Sequence, residues 1–358
     1  MTHACGEGPE GCGEGPGGPG KGSGGLGKGS GGPGKAPVGP GEGSAGPGGG
    51  PCDGGYRHEA FFYAGHEQFM EGTLPFIRGA VAAAEPILVV LGAAKIEALR
   101  HELEDSGERV IFADMAEVGE NPARIIPAWE DFVERHAAQG RRLWGIGEPI
   151  WAGRGAAELA ECQRHEALLN VVFSDPEFSL LCPYDTGTLT REVLEEARRN
   201  HPFLREGGEH TQSTCFPGVE SLAEPFAEAL PDPPPGTEVM DFQTASLRAV
   251  RDRVADHGTR AGLSGERIAD LQLAVNEVAT NSLVHGGGRG TLGVWYEGGA
   301  VICEVRDRGR IEDPLAGRRR PSAQGVGGHG LWLANQLCEL VQVRTFAGGG
   351  AVRLHMRV

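Results

Sequence analysis

The sequence predicts an α/β protein of two domains: an N-terminal α/β domain with a mainly parallel sheet, and a C-terminal α/β sandwich with helices on one sheet face. Three observations carry that prediction. Between residues 87 and 185, short apolar runs alternate with stretches of helical periodicity, the pattern of a parallel sheet flanked by helices. From residue 240 onward, two helical stretches precede a strand pair, a polar loop, a short helix and a second strand pair. Between the two regions the periodicity lapses, and Pro231-Asp232-Pro233-Pro234-Pro235 marks a semi-stiff linker.

Residues 1–55 hold 25 of the 60 glycines and almost no large apolar side chain, so this tail cannot bury enough surface to offset its ordering entropy. Ordered sequence begins near Tyr56. Ile87-Leu88-Val89-Val90-Leu91 reads as a strand buried on both faces, and Gly92 then opens a helix through Ile96, Leu99 and Leu103. Val110-Ile111-Phe112 reads as a second strand ending in Asp114. Ile125 to His136 reads as a helix with Ile126, Trp129, Phe132 and Val133 on one side. A strand from Leu143 to Glu148, a helix from Ala156 to Val172 and a strand from Phe178 to Asp185 complete the series. Residues 206–239 are the linker. Beyond it come helices from Ala245 to His257 and Gly265 to His285. Strands Gly290 to Tyr296 and Ala300 to Arg306 are joined by Glu297-Gly298-Gly299, a hairpin signal. A helix from Gly330 and strands near Val341 to Phe346 and Ala351 to Val358 close the chain.

The 358 residues carry a net charge of -16, with the acidic groups spread through the ordered part, which argues against a nucleic-acid partner. The one basic cluster, Arg318-Arg319-Arg320, is either a solvated loop or a phosphate or partner contact. No secretory signal and no apolar run of about 18 residues is present, so the expectation is a soluble cytoplasmic protein without membrane contact. Eight cysteines are scattered without a Cys-x-x-Cys, which leaves no zinc or redox spacing; Cys303 and Cys338 sit in apolar patterns as expected of core residues.

Glu277, Asn281 and His285 are spaced by four and point from one face of their helix. An acid, an amide and an imidazole on one stripe suit a Mg-nucleotide site better than a packing surface. Asp307-Arg308-Gly309 follows at a strand end, and Gly327-Gly328-His329-Gly330-Leu331 opens the next helix. Singly, each segment has a bland use: an exposed acid, a helix-end histidine, a glycine turn. Their joint order resembles the Bergerat fold of the GHKL ATPase superfamily. Residues 240–358 look most like the small anti-sigma-factor serine kinases, on the early placement of Glu277 and on the run Gly-Gly-His-Gly-Leu-Trp-Leu-Ala-Asn-Gln-Leu-Cys-Glu-Leu.

That resemblance implies ATP and Mg2+ as cofactors. Asn281 would hold the metal through its side-chain oxygen, and Glu277 would act as general base. Asp307 would accept the adenine amino group, and Gly309 would let the backbone approach the ring. Gly328, Gly330 and Leu331 would fold the loop and the helix N-terminus over the phosphates. The partners implied are a sigma factor and an anti-sigma antagonist protein, and a homodimer is compatible. Two departures stand out: Arg310-Ile311 follows Gly309 where the family has a second glycine, and Ala351 replaces a threonine often found near the last strand. These keep open a non-catalytic ATP- and partner-binding regulator. A divergent histidine kinase-like protein is disfavoured, since no long dimerisation helix with a phospho-accepting histidine is present.

Residues 56–205 resemble the MEDS sensory domain. The likeness rests on Asn121-Pro122-Ala123-Arg124-Ile125-Ile126-Pro127, Gly147-Glu148-Pro149-Ile150-Trp151, Glu161-Cys162-Gln163-Arg164-His165-Glu166 and Cys182-Pro183-Tyr184-Asp185. It implies a small-molecule ligand. Candidate pocket residues are Glu148, His165, Cys182 and Asp185, because open α/β sheets bind ligands at strand ends. The bland alternative for Glu161 and His165 is a helix-surface salt bridge beside a buried cysteine.

Overall fold

The computed structural model describes residues 55–137, 140–173, 176–219, 229–321 and 328–358, so the glycine-rich tail and Gly327 lie outside the described residues. The chain is α/β, with a mostly parallel first sheet and an antiparallel second sheet. The first domain runs β1 (Arg57–Tyr63), α1 (Gly65–Ala82), β2 (Ile87–Leu91), α2 (Ala93–Leu103), β3 (Ile111–Asp114), α3 (Met115–Val118) and α4 (Ile125–Ala137). It continues with β4 (Leu143–Gly147), α5 (Ala156–Val172), β5 (Phe178–Asp185), α6 (Arg191–Asn200), β6 (Phe203–Glu206) and β7 (Glu209–Gln212). The strand order is β3-β2-β4-β5-β1-β6-β7, parallel except where β7 turns back on β6.

Strand alternation divides the core. Ala60, Phe62, Leu88, Val90, Leu180 and Cys182 face α4, α5 and α6, whereas Phe61, Tyr63, Ile87, Val89, Leu91 and Leu181 face α1 and α2. Both faces are covered, which is why these strands read as unbroken apolar runs. Trp129 of α4 lies flat against β4, where a Cβ on Gly145 or Gly147 would come within 2.9 Å of its ring. Either residue as alanine would have to displace the indole.

The sequence reading placed no element before Ile87, yet β1 sits near the middle of the sheet. Its signal is broken by His58 and Glu59, which are buried polar groups rather than surface ones. Helix α1 carries Pro75 inside it and was masked in the same way. Helix α6 was also not placed, although Val193 and Ala197 give its charged sequence a buried side. The stretch read as linker begins inside the sheet: β6 and β7 extend it to Gln212, and β8 (Glu238–Phe242) already belongs to the second sheet.

The second domain continues with α7 (Leu247–Ala261), α8 (Gly265–His285), β9 (Gly290–Glu297), β10 (Ala300–Asp307), α9 (His329–Leu337), β11 (Leu340–Phe346) and β12 (Gly349–Arg357). Its order is β11-β12-β10-β9-β8, antiparallel throughout. Leu292, Val294, Val301, Val305, Val341 and Leu354 pack under α7, α8 and α9, with Cys303 and Cys338 buried among them. The opposite face carries buried polar groups, among them Glu304, Gln342, Arg344 and Arg353. Part of it meets α5 of the first domain: Arg344 pairs with Glu161 at 2.6 Å, Arg357 pairs with Glu158, and Arg164 donates to the Val343 carbonyl at 2.6 Å. No helix among the described residues is long and apolar enough to cross a membrane.

Candidate nucleotide site and its cover

Ser264 caps α8 by accepting from the Arg267 N–H, and the helix then runs unbroken to His285, delivering Glu277 and Asn281 from one face. Asn281 and His285 line a cavity of about 410 Å³, together with Asp307, Gly309, Gly328 and Leu331. Asp307 ends β10, and its Oδ1 accepts the Gly309 N–H at 2.6 Å, which fixes the carboxylate at the cavity wall. A Cβ on Gly309 would stand 2.9 Å from that oxygen and 2.9 Å from the His285 carbonyl, so the bend tolerates only glycine without shifting.

Gly328 takes the left-handed conformation at φ 81° and leaves the first N–H groups of α9 without a side-chain cap. Uncapped N–H groups at a helix start are what a phosphate needs. Gly330, one residue into α9, packs directly on α8: a Cβ there would lie 3.0 Å from Asn281 Nδ2 and 3.3 Å from Glu277 Oε2. Five of the expected nucleotide residues therefore border one cavity, while Glu277 and Gly330 meet at the helix contact beside it. The donor set and the bare helix start fit a Mg-nucleotide: an amide oxygen for a hard ion, a carboxylate for a base edge, N–H groups for phosphates. The two departures both fall here, since Ile311 and Ala351 line the cavity. Ile311 is held through Thr345, whose hydroxyl accepts from the Ile311 N–H at 3.0 Å.

From Arg310 to Pro321 the polar loop is built into both domains, and residues 322–327 lie outside the described residues. Leu315 belongs to the apolar core of the first domain. Gly317, at φ 75°, accepts from Asn335 Nδ2 at 2.9 Å, which ties the turn to α9. Neither sequence reading of the arginine cluster anticipated its partners. Arg318 pairs with buried Glu161, Arg319 Nε donates to Glu130 at 2.6 Å, and Arg320 donates to Asp131 at 3.2 Å. Arg319 and Arg320 also line the cavity that holds Asn281 and Asp307. Glu161 is thus no surface group, being 1% exposed between Arg318 and Arg344. Burial raises the Glu130 carboxyl above its ordinary value against the pull of Arg319.

The other end of α9 is also gripped from the first domain. Asn121 Nδ2 donates to the carbonyls of Asn335 and Cys338 at 3.1 and 3.0 Å. Arg124 donates to Asn335, Gln336 and Cys338 carbonyls at 2.8, 2.9 and 3.1 Å. These are carbonyls that a helix end leaves unpaired, and a cation there also suits the helix dipole. Asn121-Pro122-Ala123-Arg124 stood out in the sequence, but a contact more than 200 residues away leaves no local signal.

The four residues expected to form one sensory pocket separate into two places. Glu148 accepts from Lys95 Nζ at 2.5 and 2.6 Å and from the Tyr63 hydroxyl at 2.9 Å, at the carboxyl end of the sheet where Asp185 also lies. Burial raises the Glu148 carboxyl, opposed by Lys95. Cys182 of β5 and His165 of α5 are buried in the interior of the domain. Burial lowers His165 to about 3 and raises the Cys182 thiol well above its ordinary range. Lys95 and Tyr63, absent from the sequence reading, complete the first group.

Family models match this division of the chain. Residues 57–202 match MEDS, the methanogen/methylotroph DcmR sensory domain, and residues 240–356 match the histidine kinase-like ATPase domain. A comparison with curated proteins gave no match. The matched domains support a sensor-coupled ATP-binding regulator. The chain joins a MEDS sensory domain to a histidine kinase-like ATPase domain.

Proposed function

We propose that the ATPase domain transfers phosphate from ATP to a serine or threonine of an antagonist protein, and that the MEDS domain sets this activity through the arginine segment. The observation that carries the reading is the double role of Arg319 and Arg320, which border the nucleotide cavity and pair with Glu130 and Asp131 of the MEDS domain. A ligand that moves α4 or α5 would change which cations face the phosphates. Asn281 would hold Mg2+, Asp307 would read the adenine edge, and the start of α9 would bind phosphate. Bound Mg-ATP supplies the phosphoryl group; Glu277 would take the proton of the attacking hydroxyl. A sigma factor would be the second partner, held at a protein surface and released as the antagonist is modified.

The test is phosphate transfer by the full chain to proteins that co-purify with it. Glu277→Gln should keep ATP binding and lower transfer by about 10²–10⁴-fold. A second reading, a regulator that binds ATP without turnover, is favoured by Glu277 standing outside the residues that border the cavity and by Ile311 in place of a glycine. ATP binding with no transfer by wild type to any co-purified protein would establish that reading instead.

A further inference from the structure

Four buried side chains from four separate elements meet under α5: His58 of β1, Glu166 of α5, Cys182 of β5 and His201 just after α6. Their ligand-type atoms all lie within 4.8 Å of one another. His58 Nε2 is 3.1 Å from Glu166 Oε2, His201 Nε2 is 3.3 Å from the same oxygen, and Cys182 Sγ is 3.3 Å from His58 Nε2. None of the four is more than 2% exposed.

The placement of protons singles this cluster out. Asn170 Nδ2 donates to the Asn200 carbonyl at 2.8 Å and to the Glu166 and Ala167 carbonyls at 3.3 Å, which fixes the amide with Oδ1 toward His58 Nδ1 at 3.1 Å. An amide oxygen only accepts, so His58 carries its proton on Nδ1. His201 Nδ1 lies 2.8 Å from the Ala197 carbonyl and must donate there too. In the neutral rings both Nε2 atoms therefore turn lone pairs toward a carboxylate oxygen. His201 Nε2 and Glu166 Oε1 have no hydrogen-bond partner among the described residues. The one thiol proton of Cys182 can bridge one of these contacts and no more.

A cation resolves the repulsion. We propose that His58, Glu166, Cys182 and His201 form a tetrahedral site for a divalent ion of the zinc class. Metal-bound histidines usually donate their other N–H to a carbonyl or carboxamide oxygen, as both do here. Zinc bonds of about 2.0–2.3 Å imply ligand–ligand edges of roughly 3.3–3.7 Å, close to the three contacts of 3.1, 3.3 and 3.3 Å, with the remaining pairs within 4.8 Å. One thiolate, one carboxylate and two neutral imidazoles also cancel a 2+ charge, which a fully buried site requires. Binding would release the Cys182 proton to solvent. The ion would fasten α5, the helix whose Glu161 holds Arg318 and Arg344, to β1, β5 and the end of α6.

The test uses the full chain, free of any affinity tag and purified without chelator. Elemental analysis should find about one zinc per chain in the wild type. Cys182→Ser and His201→Gln should each lose most of it, while Glu148→Gln, altered in the other polar group of the domain, should keep it. Should the variants fail to fold, cobalt(II) added to stripped wild type decides independently, through the intense visible bands of a tetrahedral site and a thiolate-to-cobalt absorption. Stripped wild type that takes up neither zinc nor cobalt, or Cys182→Ser that retains full metal, would overturn the proposal and leave a proton-sharing buried network.

Discussion

Gly330 holds α9 against α8 beside Glu277 and Asn281. A methyl group there would stand 3.0 Å from Asn281 Nδ2 and 3.3 Å from Glu277 Cβ and Oε2, tighter than such contacts allow without movement. If Asn281 holds the metal as proposed, Gly330→Ala should displace the amide and weaken Mg-ATP binding, read by calorimetry, while leaving the fold intact. Unchanged affinity would show that α9 has room to move away. Asp307→Asn keeps size and the Gly309 contact but replaces an acceptor with an amide. It should abolish the stabilisation by ATP, expected for the wild type to be about 2.7 kcal/mol at a hundredfold excess over the dissociation constant. A melting shift with ATP equal to that of the wild type would remove Asp307 from adenine recognition. Most of these residues were legible in the sequence because spacing of four on a helix and glycines at fixed offsets are local signals. His58 and His201 were not, since 143 positions separate them and each stands in an unremarkable local pattern.

Among the elements, α5 and the arginine segment carry the joint between domains, and its contacts differ in energetic kind. Glu161 is buried between two buried guanidiniums. Glu161→Gln would leave both cations without their counter-charge, at a cost of roughly 3–5 kcal/mol, a melting drop on the order of 10 °C. The pairs of Arg319 with Glu130 and Arg320 with Asp131 are partly solvated, with the arginines 49% and 65% exposed. Such pairs are worth about 0–1 kcal/mol each. Replacing Glu130 and Asp131 together by their amides should barely move the melting point yet change ATP affinity by a factor of about five or more if the coupling is real. Equal ATP affinities in this variant and the wild type would leave these pairs as surface contacts only. Point changes are preferable to deleting the first domain, which would also bare Leu315 and the polar face of the second sheet. Elements with a helical stripe or an unbroken apolar run, such as α4, α8, β2 and β5, were readable within a residue or two. Those that bury charge or carry a helix-breaker, such as β1 and α1, were not, because the pattern that marks burial is the one their function interrupts. The order of Arg310 to Pro321 left no local signal for a related reason: it comes from partners in the other domain.

Across the whole molecule, buried imidazoles tie stability to pH. Burial lowers His58 to about 4, with His201 adding to the effect, and lowers His165 to about 3. Burial and Arg353 lower His355 to about 4. All three are neutral in the folded chain at neutral pH, whereas in the unfolded chain each takes up a proton near the ordinary value of 6.5. Below that pH the unfolded state binds more protons than the folded state, so folding free energy is lost as pH falls from about 6.5 toward 4. Each depressed imidazole can cost on the order of 1–3 kcal/mol by pH 4, a large share of the stability of an ordinary domain. Melting temperature measured from pH 7.5 to 4.5 with a chelator present should therefore be flat at first and then fall steeply below about 6.5. His165→Gln, which removes one titrating group without adding charge, should make the slope shallower. A melting temperature constant down to pH 5 would mean that these rings reach solvent and titrate normally in the folded protein. Added zinc should steepen the acid limb further if His58 and His201 are ligands, because protons then compete with the metal for Nε2.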